Sequence, residues 1–149
     1  VTATIASNLS TNDWTIEYWV YHNALTAGNE YHLEFNSSSA FTLYYRDSSN
    51  ENLMAAYQSS AFGGSNVWNT FTPNNKQWYH LAWVHDDTAN KLALFVDGAF
   101  WGDVTFTGDI NSGAVELGGS SMDGFISNLR ITKEKLYTSN FTPSTLAFE

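Results

Sequence analysis

Glu30, His32 and Glu34, in the stretch "EYHLEF", are the residues whose types and spacing come nearest to a hydrolytic constellation. Successive side chains of a strand point to opposite faces, so positions two apart line up. These three would share one side, and two carboxyls about 5–5.5 Å apart can act as acid and nucleophile in a retaining glycoside cleavage. Glu30, however, follows the turn-forming "AGN", and Leu33 and Phe35 alternate with the polar positions. A solvent-facing polar stripe is the simpler expectation, and the chain reads as non-catalytic.

Other reactive groupings are poorly supplied. The chain has no cysteine, which excludes disulfides, thiolate zinc sites and thiol nucleophiles. It has no Gly-x-Ser-x-Gly turn, and His22, His32, His80 and His85 do not fall at the spacing of a helical zinc site. His80, within "WYHLAWVH", reads as a packed, hydrogen-bonded strand residue. The formal charge is -9, six Lys plus Arg against fifteen Asp plus Glu. That balance argues against nucleic acid, which needs a basic face, and against an anionic membrane surface. It serves solubility, and it also suits calcium, which takes carboxylate and carbonyl oxygens. Asp47, Asn50 and Glu51 in "RDSSNEN", or Asp103 and Asp109 in "WGDVTFTGD", would supply them. None has the fixed spacing of an EF-hand loop, so Ca2+ ligands stay unassigned.

Aromatic content points to binding. Ten Phe, eight Tyr and six Trp are more than one core can hide. A flat ring beside amides or carboxylates is what the C–H face and hydroxyls of a sugar require. Tyr44, set opposite to Phe41, Leu43 and Tyr45 in "FTLYYR", and Trp68 in "GGSNVWN" are the leading candidates. Asp47, Asn50, Asn66 and Asn69 are their polar neighbours, and Trp101 is a third ring.

Strands must position these groups. "WTIEYWVY", "FTLYYR", "WYHLAWVH" and "KLALFV" alternate with period two, and turn signals such as "DDTAN", "DG" and "GGSSMDG" separate them. No long window carries a helical stripe, although Lys133–Leu136 has room for one short turn. The pattern predicts an all-β, antiparallel two-sheet sandwich of jelly-roll type, one domain over residues 1–149. Asp97-Gly98 predicts a type I′ turn, with facing pairs Val96/Ala99, Phe95/Phe100 and Leu94/Trp101. The last would place Trp101 in the core or at its rim. Trp14–Tyr21 and Trp78–His85 are apolar on both faces, which predicts central strands whose outer face is covered. No apolar run approaches the length of a membrane-spanning helix.

The blocks "DWTIEYWVY", "WYHLAWVHDDTANKLALFVDG" and "VELGGSSMDGFISNLRITKEKLYTSNFTP" follow in that order across Asp13–Pro143. They resemble laminin G-like jelly-roll modules of the concanavalin A-like lectin/glucanase superfamily, above all those of bacteriophage tail and virion proteins and bacterial surface proteins. That fold hosts lectins, hydrolases and structural modules. Its hydrolases carry Glu-x-Asp-x-Glu on one strand, and this chain lacks the central Asp. The resemblance therefore implies a non-catalytic, lectin-like carbohydrate-binding module of a virion, or an extracellular or cell-surface protein. Glycans and other virion or surface-protein chains would be its partners. The alternatives are a structural virion module that binds no glycan, and a glycoside hydrolase. Members often hold one calcium ion at a sandwich rim. The resemblance also implies an outermost strand missing before Val1, which would leave a bare edge. In the closing segment, Phe125, Leu129 and Ile131 would turn to the core, and Tyr137 and Phe141 would cover an open end.

Overall fold

Alternating sequence patterns become ten strands in a computed structural model, and no helix occurs among the described residues. These are residues 1–9, 12–25, 28–36, 41–48, 51–57, 71–119 and 121–146, with the backbone alone described at 47, 48, 51–53 and 57. In chain order the strands are β1 (Thr2–Ile5), β2 (Trp14–His22), β3 (Gly28–Phe35), β4 (Phe41–Ser48) and β5 (Glu51–Tyr57). There follow β6 (Trp78–Asp86), β7 (Lys91–Val96), β8 (Ala99–Thr105), β9 (Gly113–Leu117) and β10 (Gly124–Thr132). One sheet has the order β1-β9-β3-β4-β5 and the other β10-β2-β6-β7-β8. Every pairing is antiparallel. The stretch "VTATI" itself supplies the outer strand beside β9, and β1 is the edge of that sheet among the described residues.

The core is the inward phase of both sheets. Trp14, Ile16, Tyr18 and Val20 of β2 meet Leu33, Phe35, Phe41, Leu43 and Tyr45 from the facing sheet, all nearly or fully buried. Each buried aliphatic side chain contributes about 1.5–3 kcal/mol. β2 and β6 are interior strands of their sheet, as their two-sided apolar pattern predicts.

Three bulges decide which side chains reach the surface. In β3, Tyr31 pairs with Tyr44 but Leu33 pairs with Leu43, leaving His32 as the extra residue. The phase change turns Glu30 and His32 inward alongside Leu33 and Phe35, all buried, while Glu34 points outward. The expected solvent-facing stripe of Glu30, His32 and Glu34 does not exist. Between β7 and β8, Asp97 and Gly98 have φ of 49° and 77°, the type I′ turn that the sequence predicts, and Phe95 faces Phe100. Leu94 then pairs with Gly102 instead of Trp101, so Trp101 sits on the edge strand, 41% exposed. In β10, the register shifts between Ser127 and Arg130, and Asn128 adopts φ of 49°. Ile126, Leu129 and Ile131 pack against the core while Phe125 is 57% exposed. Phe125 therefore does not share the inward side with Leu129 and Ile131.

The chain after β10 bends at Lys133 and Glu134 without a helical turn and runs over the outer face of the β10-β2-β6-β7-β8 sheet. The Thr15 hydroxyl donates to the Glu134 carbonyl at 2.7 Å and accepts from the Leu136 amide at 3.1 Å. Tyr137 and Phe141 pack on Phe95 and its neighbours Ala82 and Val84. The Phe141 amide donates to the Gly98 carbonyl at 2.9 Å, the Phe100 amide to Asn140 Oδ1 at 2.8 Å, and Trp19 Nε1 to the Ser144 carbonyl at 3.1 Å. Tyr137 and Phe141 thus cover a sheet face and not an open end. Gly98 permits this: a Cβ there would lie 1.9 Å from the Phe141 carbonyl oxygen.

Candidate functional site

Cross-strand register builds a row of three aromatic rings. Trp78 of β6 faces Tyr21 of β2, which faces Phe125 of β10, and facing residues share a side of the sheet. Ring centroids are 5.3 Å apart for Trp78 and Tyr21 and 5.9 Å apart for Tyr21 and Phe125, with planes at 49° and 53°. On the same outer face, the tail covers the neighbouring positions. Ser144 reaches Trp19, Phe141 packs on His80, and Tyr137 lies over Glu17. The Trp78–Tyr21–Phe125 row is left open, with Trp78 41% exposed. Beside it, Trp19, Trp78, Ser127, Asn128 and Thr145 line a groove of about 280 Å³.

Beneath the tail lies a buried polar cluster. Glu17, 1% exposed, accepts from Arg130 Nε at 2.6 Å and from the Tyr137 hydroxyl at 2.9 Å. Arg130 Nη2 also pairs with Glu17 and donates to the Tyr137 hydroxyl at 3.1 Å. His80 Nε2 is 3.1 Å from Glu17 Oε2. Burial alone would raise the Glu17 carboxyl, but His80, Arg130 and Tyr137 outweigh it and hold it below its usual value. Burial, followed by Glu17, pushes the Tyr137 hydroxyl up to about 12. A carboxylate tied in this way is a structural anion, not a proton donor.

A second polar cluster lies between the sheets. His22 Nδ1 is 2.8 Å from Glu30 Oε2, and His32 Nδ1 is 3.1 Å from the Tyr18 hydroxyl. All four residues are fully buried. Burial first, and then His22, holds His32 well below its usual value, so it stays neutral. Glu34, on the outer face, is the cross-strand partner of Glu116. Burial first, and then Glu116, raises its carboxyl.

Of the rings nominated by sequence, the two that are described, Tyr44 and Trp101, lie on different sheets. Tyr44 is on the outer face of β4, 4% exposed, with its ring 5.6 Å from that of Tyr31. Trp101 belongs to the other sheet, at the rim, 5.2 Å from Phe71. Asp47 lies on β4, where its backbone alone is described. Asn50, Asn66, Trp68 and Asn69 lie outside the described residues. Of the proposed calcium ligands, Glu51 has only its backbone described, Asp103 pairs with Lys91 at 2.9 Å, and Asp109 is exposed. Among the described residues no group of three His, Asp or Glu side chains is placed to hold a metal. Sequence reasoning missed Trp19, Tyr21, Trp78, Phe125 and Asn128. The signal was present: Tyr21 and Trp78 occupy the outward phase of their strands, opposite Val20 and Tyr79.

Two facing five-stranded antiparallel sheets define a jelly-roll sandwich of the concanavalin A-like class. Residues 1–139 match the family model Laminin_G_3, described as the concanavalin A-like lectin/glucanases superfamily, and the chain belongs to that superfamily. No curated protein matches the sequence. Among solved structures, a heptameric SAP-like pentraxin from Limulus polyphemus is similar, with a TM-score of 0.62 and 17% identity over 91% of this chain and 71% of that one. Galectin LEC-6 from Caenorhabditis elegans has a TM-score of 0.59 and 14% identity over 89% of each chain. The catalytic domain of a glycoside hydrolase family 131 protein from Coprinopsis cinerea has a TM-score of 0.56 and 20% identity over 93% of this chain and 63% of that one. At these identities the likeness is one of fold.

Proposed function

We propose that residues 1–149 form a lectin-like module that binds carbohydrate without cleaving it. The observation that carries this reading is the open row of Trp78, Tyr21 and Phe125 beside the polar groups of Ser127 and Asn128. The exposed Trp78 and Phe125 rings, with half-buried Tyr21 between them, next to amide and hydroxyl groups match the apolar faces and hydroxyl rims of sugars. A galectin and a pentraxin sharing the fold are consistent with it. Non-catalysis is supported by the carboxylates: Glu30 is enclosed in the core with His22, and Glu17 is held by Arg130. Tyr44 on one sheet and Trp101 on the other, together with Trp68, Asp47, Asn50, Asn66 and Asn69, are further proposed sugar contacts, and any calcium belongs near those loops. The module works outside the cell, and on the resemblance of its blocks it serves as a recognition part of a phage tail or virion.

A titration of tryptophan fluorescence against an oligosaccharide panel tests the reading. Binding should lie in the millimolar to micromolar range, about -4 to -8 kcal/mol. A panel that produces no shift, together with a sedimentation profile showing association, would favour a structural module whose aromatic row is a protein contact. The hydrolase alternative draws on one observation, the facing Glu34–Glu116 pair with its raised carboxyl. Release of reducing ends that disappears in Glu34→Gln would establish it.

A further inference from the structure

We infer that the Trp78–Tyr21–Phe125 row seats a single strand of neutral, equatorially linked polysaccharide laid across β6, β2 and β10; this rests on the carbohydrate reading above.

The ring spacing follows from the sheet. Strands lie about 4.7–4.9 Å apart, and the tilted rings they carry have centroids 5.3 and 5.9 Å apart. That is comparable with one hexopyranose unit per ring. Equatorial linkages extend such a chain and leave the axial C–H face of each unit flat and apolar, the surface an aromatic ring covers. The ring planes are turned by 49° and 53° from their neighbours. A crystalline polysaccharide surface is planar and would meet one such ring at a time. A free strand can rotate between units and set each sugar on its own ring.

Polar groups border the row on one side. Asn128 projects from the β10 bulge at φ of 49°, and its amide nitrogen is 3.5 Å from the Leu146 carbonyl, a weak contact. An amide offers both a donor and an acceptor to adjacent hydroxyls. Trp19 forms a fixed wall, because its indole N–H is already bonded to Ser144. Pre-organised walls reduce the ordering cost of binding.

Charge selects against acidic chains. The protein carries -9, and among its six basic residues Arg130, Lys91 and Lys135 are paired with Glu17, Asp103 and Asp86. A polyanion would meet net repulsion where a neutral strand meets none.

Native affinity electrophoresis in gels containing polysaccharide tests the inference. Soluble mixed-linkage β-glucan should retard the protein, and carboxymethylcellulose, a related backbone with added carboxylates, should retard it less. Microcrystalline cellulose should not deplete it from solution. Trp78→Ala and Phe125→Ser should each weaken retardation by about tenfold or more, the scale of one lost aromatic contact. Two exposed positions are used so that a folding defect in one variant does not decide the result. Equal binding to crystalline cellulose, or stronger binding to carboxymethylcellulose, overturns the inference. Retardation that survives both variants also overturns it but leaves the carbohydrate reading standing. No binding to any glycan, with Trp78 shielded in a self-associated species, overturns both.

Discussion

Arg130 holds the buried Glu17 carboxylate through Nε at 2.6 Å, and the two residues are direct cross-strand partners of β10 and β2. The pair joins an edge strand to its neighbour and, through Tyr137, fastens the tail above both. Removing the guanidinium leaves a buried anion with fewer partners, which is the costly way to break such a pair. Arg130→Gln should lose about 2–4 kcal/mol. Glu17→Gln/Arg130→Gln should lose less than the two single changes added together. Urea denaturation of the four-member cycle checks this.

Gly98 allows the tail to dock. An added methyl would approach the Phe141 carbonyl to 1.9 Å, at a φ of 77° that L side chains rarely adopt. Gly98→Ala should therefore cost about 1–3 kcal/mol and loosen the segment around Phe141. Limited chymotrypsin digestion should cut at Tyr137 and Phe141 faster than in the parent protein, while the strands resist.

His32 makes stability depend on pH. Its folded pKa lies well below the usual 6.5, first through burial and then through His22. Between those values the unfolded chain binds more protons, so stability is complete above pH 6.5 and falls as pH drops below it. The loss for one such group is about 1.4 kcal/mol per pH unit. Glu17, held below 4.5, adds its own loss only in more acid solution. Urea midpoints measured between pH 7.5 and 5 should show the slope, and His32→Gln should reduce it by about one proton.

Glu34 and Glu116 face each other across β3 and β9, and like charges in that relation cost about 0.2–1 kcal/mol. Glu34→Gln should raise the thermal midpoint at pH 7. Because the folded pKa of Glu34 is raised, the parent protein takes up a proton as pH falls and recovers that stability. The difference should shrink toward pH 4.5. Both proteins should release no reducing ends from soluble glucans.

The sandwich was legible because period-two alternation and turn residues are local properties. Asp97-Gly98 even dictated the phase of Phe95 and Phe100. Legibility failed at the bulges. One extra residue at His32, Trp101 or the Asn128 turn moves every later side chain to the other face, and no local residue signature marked those places. Glu30 thus looked solvated and is enclosed, while Phe125 looked internal and is displayed. The covered outer face was expected, but its cover could not be identified from alternation alone. Tyr137 and Phe141 are separated from Glu17 and Phe95 by long stretches of chain, and only three-dimensional proximity revealed which row the tail leaves free.

Docking of the tail also bears on biosynthesis. A chain emerges from the ribosome N-terminus first, so β2, β6 and β7 are made well before Phe141 and Pro143. Until those residues appear, Ala82, Val84 and Phe95 have nothing above them, and the hairpin at Gly98 waits for its last hydrogen bond. Completion of this wall is therefore a late event in synthesis, and a nascent chain stalled at Thr132 would present an oily flank to chaperones that the tail covers in the folded module.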